Sequence, residues 1–501
     1  MSSLPPKDSA GLLPPLPENW SNICESEPLS FSGMIQPHGA LVQVDLTGRI
    51  THASANIGNL IPELPEHFGK KLPADLLSQM GITLDQILSS SVGDRREITS
   101  IRLSAGSDSL DAIFTRNGDG VLLELFLSSH SQSPISPTLT TPFPKGLSPE
   151  ALNQELVFRI RAVTGYDRVM LYAFRDDGDG EVLAENRNPD SYGTYLGLRF
   201  PGSDIPRIAR ELYLKNPWRL IPNAPAAPLP IRSLTGRPPD LSLSDLRSVS
   251  PVHVAYLANM EVLASLSLPV IAAKSLWGLV ACHSRSPRTL GLETLSAARS
   301  IVKHYNMALL QSHAEERIRA IDGLAHRLAP VREILSKTDN PEDILSVSAT
   351  SLATLFNACG LVFFRNHAFT CWGTTPSLQI IEKLRDLLAP LRSDPLWHTV
   401  SLTQTFPGIA PLPVAGLMAL KLPKNSEFWI FRPETIQEIA WGGNPHKPVE
   451  TDASGTGISP RQSFERWIEK RVGQSLPWNK FDTLAALHLL RNTSPSPGSL
   501  S

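Results

Sequence analysis

The stretch YDRVMLYAFRDDGDGEVLAENR, residues 166–187, decides the fold class of its part of the chain. Residues 167–174 predict a strand, the glycines and aspartates at 176–180 signal a turn, and residues 180–187 predict a returning strand. The preceding segment, 151–165, has the pattern of a helix that stops at a glycine. Two more strands around a turn are predicted within 264–284. Helices and strands mixed in this way predict an α+β domain.

Similar patterns lie on both sides of this region. Strand candidates at 40–48 and 120–129 predict a mixed domain before residue 130. Candidates at 361–369 and 426–433 predict a third mixed domain. The Ser-, Thr- and Pro-rich stretch 128–146 has the composition of a linker. A chain of 501 residues suits about three domains, at roughly 100–200 residues each.

A long helical pattern begins at Leu292. Apolar residues recur along it at spacings of three and four, at Ile318, Ile321, Leu324 and Leu328. This stripe predicts either a dimer seam or packing against the helix's own domain. Pro330 is expected to break or kink the helix, because proline lacks the backbone N–H that a helix interior uses.

Composition excludes several classes of protein. The chain has 46 basic and 48 acidic residues, so its charge gives no reason to expect nucleic acid or an anionic membrane as a partner. No apolar run approaches the ~18–20 residues of a membrane-spanning helix. The N-terminus also lacks the features of a signal peptide. We therefore expect a cytoplasmic protein with no membrane partner.

The cysteines and catalytic motifs argue against an enzyme. Cys24, Cys282, Cys359 and Cys371 are too widely separated for a disulfide framework or a zinc site, and we expect no metal. No phosphate loop, dinucleotide fingerprint or H-E-x-x-H motif occurs. A nucleophile formed by Cys24 with His38 or His253 lacks an evident oxyanion hole. Any catalytic output is therefore absent or lies on another chain.

Several longer motifs occur together. They are CESEP (24–28), IQPHG (35–39), YDRVMLYAF (166–174), RFPGSDIPRIARELY (199–213), PWRLI (217–221), SPVHVAYLANM (250–260), LWGLVACHS (276–284), WGGNPHKPVE (441–450) and SPRQSFERW (459–467). Over about residues 20–490 the chain resembles the photosensory core of the biliverdin-binding bacteriophytochromes, with its PAS, GAF and PHY domains. One such motif would be weak support, whereas this many in the family's order is specific.

The resemblance implies a domain plan of three mixed α+β domains joined by long helices. The plan is a disordered arm (1–20), a PAS domain (21–130), a linker (131–145), a GAF bilin-binding domain (146–312), a PHY domain (313–490) and a disordered tail (491–501). The PHY domain would carry the family's tongue, a long excursion at about 440–475. An N-terminal figure-of-eight knot is also implied, with Ile35 at the crossing.

The implied function is that of a red/far-red photoreceptor. Biliverdin IXα would be attached by a thioether between Cys24 and the vinyl group of ring A. Light would isomerise the methine bridge between rings C and D, the tongue would refold, and helices would carry the signal to a C-terminal output. That output would be a histidine kinase of a two-component system outside this chain. The expected partners are a second copy of the chain and a response regulator or output domain.

The resemblance also assigns a pocket. The Asp204 carbonyl would face the pyrrole N–H groups, with His253 beside rings B and C. His283 would bond the ring D carbonyl. Arg219 and Arg247 would hold the propionates, assisted by the hydroxyls of Ser250, Ser265 and Ser267. The other pocket residues would be Ile205, Met170, Tyr172, Tyr195, Phe200, Tyr256 and Met260. Arg461 of the tongue would pair with Asp204 in the dark, and Ser463 would replace it after light.

Taken singly, the same residues have plainer interpretations. Asp204 could be the N-cap of the following helix, and the histidines and aromatic residues could be ordinary core. The tongue could be a disordered surface loop. Glu261 departs from the family pattern and could tune protonation near the pocket. A GAF-type sensor of another small molecule, such as a cyclic nucleotide, is the alternative function. Leu198 favours a red-absorbing dark state.

Overall fold

The computed structural model describes residues 28–103, 108–129, 134–189, 193–366, 368–391, 393–409, 412–445 and 463–491. The chain divides into two compact units. The first runs to Leu310 and includes Ala440–Trp467, and the second comprises Gln311–Ile439 and the residues from Ile468 onward.

The strands are β1 (Met34–Ile35), β2 (Gly39–Asp45), β3 (Ile50–Ser54), β4 (Arg95–Ile101), β5 (Leu110–Asn117), β6 (Gly120–Leu127), β7 (Arg168–Phe174), β8 (Gly180–Arg187), β9 (Arg199–Phe200), β10 (Arg219–Ile221), β11 (Leu229–Ser233), β12 (Ala264–Ala272), β13 (Ser275–Ser284), β14 (Gly360–Arg365), β15 (Ala368–Gly373), β16 (Leu396–Thr399), β17 (Gly416–Leu422), β18 (Ser426–Arg432), β19 (Gln437–Gly442) and β20 (Arg466–Arg471). The α-helices are α1 (Ile57–Leu60), α2 (Ala74–Gln79), α3 (Leu84–Leu88), α4 (Pro149–Thr164), α5 (Arg207–Tyr213), α6 (Pro251–Asn259), α7 (Leu292–Lys337), α8 (Pro341–Phe356), α9 (Leu378–Leu388), α10 (Leu402–Thr405) and α11 (Lys480–Arg491). Short 3-10 helices cover Leu29–Phe31, Leu64–His67, Pro137–Thr140, Gly202–Asp204 and Ala389–Leu391.

The first unit contains a seven-stranded sheet in the order β1-β11-β3-β2-β6-β5-β4. Side chains alternate between the two faces of a strand. On β2, Ala40 and Val42 therefore enter the main core of this sheet, whereas Leu41 packs on the other face with Ile35. Both faces of the central strands are consequently buried.

Strand β11 comes from the middle of the chain but joins this N-terminal sheet. It pairs antiparallel with β1 and β3, placing Leu229 opposite Ile35 and Ile231 opposite Ser54. Ile35 is fully buried there. Part of the predicted 146–312 domain thus shares a sheet with strands of the predicted 21–130 domain. The knot and the exact domain limits stay predictions.

A second sheet has the order β10-β12-β13-β7-β8-β9-β19-β20. The two predicted hairpins are present, because β7 pairs antiparallel with β8 and β12 with β13. Strand β13 also pairs with β7. Helix α4 stops as predicted at Gly165, which has the left-handed φ of 65° that a helix C-terminus often requires of a glycine.

The second unit contains a five-stranded antiparallel sheet in the order β15-β14-β18-β17-β16. Alternation on β14 sends Leu361 and Phe363 into the core with helices α8 and α11, and Val362 and Phe364 into the core with α9. The sheet is therefore covered by helices on both faces. The predicted α+β class, with mixed domains, is confirmed.

Helix α7 runs unbroken through Pro330 to Lys337, so of the two predicted effects of the proline, a break or a kink, the break is wrong. Leu328 and Val331, on either side of the proline, are buried in the core of the second unit, and this packing offsets the hydrogen bond that proline cannot make. The four apolar residues of the stripe on α7 differ in burial. Leu324 and Leu328 pack within that unit, whereas Ile318 and Ile321 are exposed.

In the part of the chain that the structure describes, each helix is too short or too polar to cross a membrane.

Candidate functional site

A cavity of about 1410 Å³ opens within the first unit. The fifteen residues assigned to a pocket from the sequence all line it: Met170, Tyr172, Tyr195, Phe200, Asp204, Ile205, Arg219, Arg247, Ser250, His253, Tyr256, Met260, Ser265, Ser267 and His283. They lie on β7, β9, β10, β12, β13 and α6 and in the loops between them. Cys24 and Arg461 lie outside the described residues.

Strand alternation explains why polar side chains face this cavity. On β12, Leu266 and Leu268 enter the core of the second sheet, so Ser265 and Ser267 point to the opposite, cavity-lining face. On β13, Cys282 is buried in that core and its neighbour His283 lines the cavity. The cavity-lining face of β12 and β13 therefore carries hydroxyl and imidazole groups.

The segment containing Asp204 is held by an arginine that the sequence did not single out. Arg210 donates from Nε to the Ile205 carbonyl (2.7 Å) and from Nη2 to the carbonyls of Gly178 (2.9 Å) and Gly202 (2.8 Å). No local signal distinguishes this arginine from a solvated one. The N-cap interpretation of Asp204 is wrong, because helix α5 begins at Arg207 with Pro206 at the N-cap.

Asp204 and His253 both contact Tyr256. The Tyr256 hydroxyl donates to Oδ2 of Asp204 over 3.2 Å. Its ring stacks on His253, one turn earlier on α6, with ring centres 6.0 Å apart and planes 12° apart. Burial, and then the charge of Arg219, lower the pKa of His253 to about 4. Burial, with smaller effects of Arg168 and His253, lowers the pKa of His283 to about 3. Both imidazoles are therefore neutral at pH 7.

His283 carries an unused polar atom. Its Nδ1 is buried and has no hydrogen-bond partner among the described residues. A buried polar atom without a partner is costly, and His283 is one of the residues that line the cavity.

Two arginines form the cationic side of the cavity. Arg219 donates to the carbonyls of Asp245 (3.3 Å), Arg247 (2.7 Å) and Ser248 (3.0 Å), and Arg247 donates to the Leu241 carbonyl (3.5 Å). Within the described part of the chain, neither guanidinium pairs directly with a carboxylate. Burial, and then the charge of Arg247, lower the pKa of Arg219 to about 9. Two guanidinium groups placed in this way have the charge and the donors that suit a carboxylate.

The aromatic side of the cavity is a cluster around Phe200. The ring centre of Phe200 lies 6.2 Å from that of Tyr172 and 5.7 Å from that of Tyr195. Arg168 stacks over the Tyr195 ring at 4.0 Å and pairs with Glu185 at 3.2 Å. This buried ion pair was also missed, because buried and exposed charges look alike in a sequence.

The described ends of the tongue pack against this cavity. The Trp441 backbone pairs in parallel with Arg199, and Gly443 N–H donates to the Glu465 carbonyl over 2.7 Å. Phe464 meets the Tyr256 ring edge-on, with centres 5.2 Å apart. Ser463 lines the cavity. These ends are thus ordered parts of the site rather than a disordered loop.

Glu261 lies away from the cavity. Its carboxylate is 72% exposed and pairs with Arg285 at 2.6 Å. The interpretation that this charge tunes protonation in the pocket is therefore wrong, since solvent screens an exposed pair.

Comparison with known proteins identifies three regions in chain order. Family models match a PAS fold at residues 24–126, a GAF domain at 148–309 and a phytochrome region at 327–493. The chain is 33% identical over 498 residues to cyanobacterial phytochrome B of Nostoc sp., covering 93% of this chain and 65% of that protein. It is 31% identical over 496 residues to a bacteriophytochrome of Pseudomonas aeruginosa, covering 92% and 65%. The chain thus spans about two thirds of the length of these curated relatives.

Solved structures give the same result. The fold matches the wild-type phytochrome photosensory core module of Stigmatella aurantiaca with a TM-score of 0.80 and 31% identity, covering 94% of this chain and 97% of that one. A bacteriophytochrome from R. palustris matches with a TM-score of 0.80 and 27% identity, covering 94% and 98%. The chain belongs to the phytochrome family and comprises the PAS, GAF and PHY regions of a photosensory core.

Proposed function

We propose that the chain is a red/far-red sensory module that binds biliverdin IXα in the cavity of its first unit and attaches it covalently through Cys24. The observation that carries this proposal is the pair of buried arginines, Arg219 and Arg247, whose guanidinium groups have only carbonyl partners in the described residues. Membership of the phytochrome family implies a bilin chromophore, and a bilin carries two propionates that would complete this pair.

The rest of the cavity fits the same ligand. Its volume of about 1410 Å³ accommodates a tetrapyrrole. Ser250, Ser265 and Ser267 supply hydroxyls near the arginines for a second carboxylate. The imidazole of His283, which lines the cavity, would bond a ring carbonyl or a bridging water. Apolar walls from Met170, Met260 and the Phe200 cluster would cover the rings.

A bound bilin would supply absorption of red light, isomerisation of the bridge between rings C and D, and a vinyl acceptor for a thiol. Cys24 is the attachment residue we propose because its motif, CESEP, resembles the attachment motif of the family, and the described cysteines are less suited. Cys282 lies in the sheet core, where burial raises the pKa of its thiol far above the ordinary range. Cys359 and Cys371 belong to the second unit. Addition of the thiol to the vinyl group forms one C–S bond, transfers the thiol proton to carbon and releases nothing.

The protein's response would begin at Tyr256 and Asp204. The hydrogen bond between them and the contact of Tyr256 with Phe464 connect the cavity to the tongue. Two packings of the tongue, one with Arg461 on Asp204 and one with Ser463 there, would form the two-state element that the pigment biases. A red-absorbing dark state is the expected resting form.

The signal would leave through α7 and α11 toward an output outside this chain. The output we propose is a histidine kinase, with a response regulator as its partner. A cytoplasmic homodimer is the proposed assembly, and Ile318 and Ile321, exposed on α7, are available to such a contact.

The test is covalent capture of pigment. The full chain is mixed with biliverdin, denatured, and assayed for retained colour, with Cys24→Ser as the variant and Cys371→Ser as the control. We expect retention by the wild type and the control and loss in Cys24→Ser. If the wild type takes up no biliverdin but binds a cyclic nucleotide, the chain is a GAF-type small-molecule sensor and the proposal is wrong.

A further inference from the structure

A buried carboxylate lies one layer behind the cavity, on the PAS side. Glu124, on β6, is fully buried. Its neighbours Leu123 and Leu125 enter the PAS core, so Glu124 points to the opposite face. There it accepts hydrogen bonds from Ser244 Oγ (2.6 Å), Leu246 N–H (2.9 Å) and Asp245 N–H (3.2 Å).

Residues 244–246 are held from a second side through Asp245. Its carboxylate accepts from both terminal nitrogens of Arg95, on β4, at 3.0 and 2.5 Å, and from Trp218 Nε1 at 2.9 Å. Arg95 also pairs with Glu97 at 3.0 Å. Two charged residues of the PAS sheet, Glu124 and Arg95, thus clamp one short segment of the GAF region.

That segment orients a cavity residue. The Asp245 carbonyl accepts from Arg219 Nη1, and the carbonyls of Arg247 and Ser248 accept from Nη2. Arg219 lines the cavity and Glu124 does not. Because these carbonyls are the partners of the Arg219 guanidinium among the described residues, its direction depends on where residues 245–248 lie.

We propose that Glu124 is a positioning residue for Arg219, acting through residues 244–248, and that the PAS region thereby sets the affinity of the cavity for the ligand's carboxylates. This inference rests on the proposed function for the identity of that ligand. The charged groups that influence Glu124 are Asp245, Arg95, Arg219 and Arg247. Burial and then Asp245 raise the pKa of Glu124, while Ser244, Leu246 and Arg95 oppose them. Loss of these partners would leave the carboxylate as an uncompensated buried charge.

The first experiment needs no pigment. Unfolding of the full chain by denaturant is measured for wild type, Glu124→Ala, Arg219→Gln and the double variant. Leu123→Ala replaces Glu124→Ala in a control cycle, since Leu123 is equally buried on the same strand but faces the PAS core. We expect the Glu124 and Arg219 effects to be non-additive and the Leu123 and Arg219 effects to add. Additivity in the Glu124 cycle would overturn the inference.

The second experiment uses two pigments, biliverdin and its dimethyl ester, in which both carboxylates are masked. We expect Glu124→Ala to weaken biliverdin binding by about tenfold, the scale of a charged hydrogen bond, and to leave binding of the ester within about twofold. Glu124→Gln, which keeps a carbonyl oxygen as acceptor, should restore most of the loss. Leu123→Ala should alter both pigments alike.

The outcomes separate the two proposals. If the wild type binds neither pigment while the Glu124 cycle is non-additive, the positioning of Arg219 stands and the bilin function fails. If the wild type binds biliverdin and Glu124→Ala weakens the acid and the ester equally, Glu124 is only a structural residue and the inference fails.

Discussion

The hydroxyl of Tyr256 donates to the carboxylate of Asp204 over 3.2 Å, while the same ring meets Phe464 of the tongue edge-on at 5.2 Å. One side chain therefore touches both the segment that would face the pigment and the segment that would refold. A change in the position of Tyr256 would alter its contacts with both segments. Coupling between a cavity and a switch requires such a shared contact.

Tyr256→Phe should keep the ring contacts and remove only the hydrogen bond. Because a net hydrogen bond contributes about 0.5–1.5 kcal/mol, we expect pigment binding to persist and thermal return to the dark state to change by roughly 2–12-fold. Absorbance after a light pulse measures this rate. Tyr305→Phe is the matched control, since its hydroxyl bonds Asn153 outside the cavity. Equal rates in wild type and Tyr256→Phe would contradict the coupling.

The pigment-free protein should lose stability as the pH falls. The folded-state pKa of His283, about 3, lies below its ordinary value of 6.5, so the unfolded chain binds the proton first. The contribution of His283 is therefore complete above pH 6.5 and is lost as the pH falls toward 3. Denaturant unfolding at a series of pH values should show a shallower decline in His283→Gln than in wild type. Parallel curves would show that His283 is not held neutral by the fold.

Gly442→Ala should disturb the wall of the cavity. A methyl group at this glycine would lie 2.7 Å from two atoms of the Phe200 ring, so the ring must move. We expect a loss of roughly 1–3 kcal/mol in the free energy of unfolding and a shifted absorption band of the bound pigment. Gly118→Ala is the control, because an added methyl group has no neighbour within 4 Å there. An unchanged spectrum and unchanged stability would mean that Phe200 is not held against the tongue.

In the second unit, a buried ion pair should contribute more to the free energy of unfolding than an exposed one. Arg432 pairs with Asp482 at 2.9 Å, and each side chain is 2% exposed. Asp482→Asn leaves the arginine charge buried, so we expect a loss of about 3–5 kcal/mol in the free energy of unfolding. Lys470 and Glu438 form an exposed pair at 3.1 Å. Glu438→Gln should cost less than about 1 kcal/mol, and similar losses in both variants would contradict this difference.

Local patterns predicted the hairpins and the helix stop at Gly165, because alternation, turn residues and a terminal glycine act over a few residues. The strand β11 could not be predicted in this way, because its partner Ile35 lies far away in the sequence. The continuation of α7 through Pro330 depends on the packing of Leu328 and Val331. The helix propensity of a residue does not include such tertiary contacts.

The resemblance of the motifs predicted the cavity residues. In the structure, the fifteen residues assigned in this way line one cavity. The charged residues that support the cavity could not be predicted from these motifs. Arg210, Arg168 and Glu124 are charged residues whose roles depend on burial, and a single sequence offers no sign that a particular arginine or glutamate is buried. Layers behind a binding site are for this reason the hardest part to predict.

Photoconversion is tested by a difference absorption spectrum of the biliverdin-loaded chain before and after red light, followed by far-red light. We expect a red band that converts to a far-red band and returns with far-red illumination. A pigment that is bound and shows no reversible change would mean that this cavity is not a light sensor.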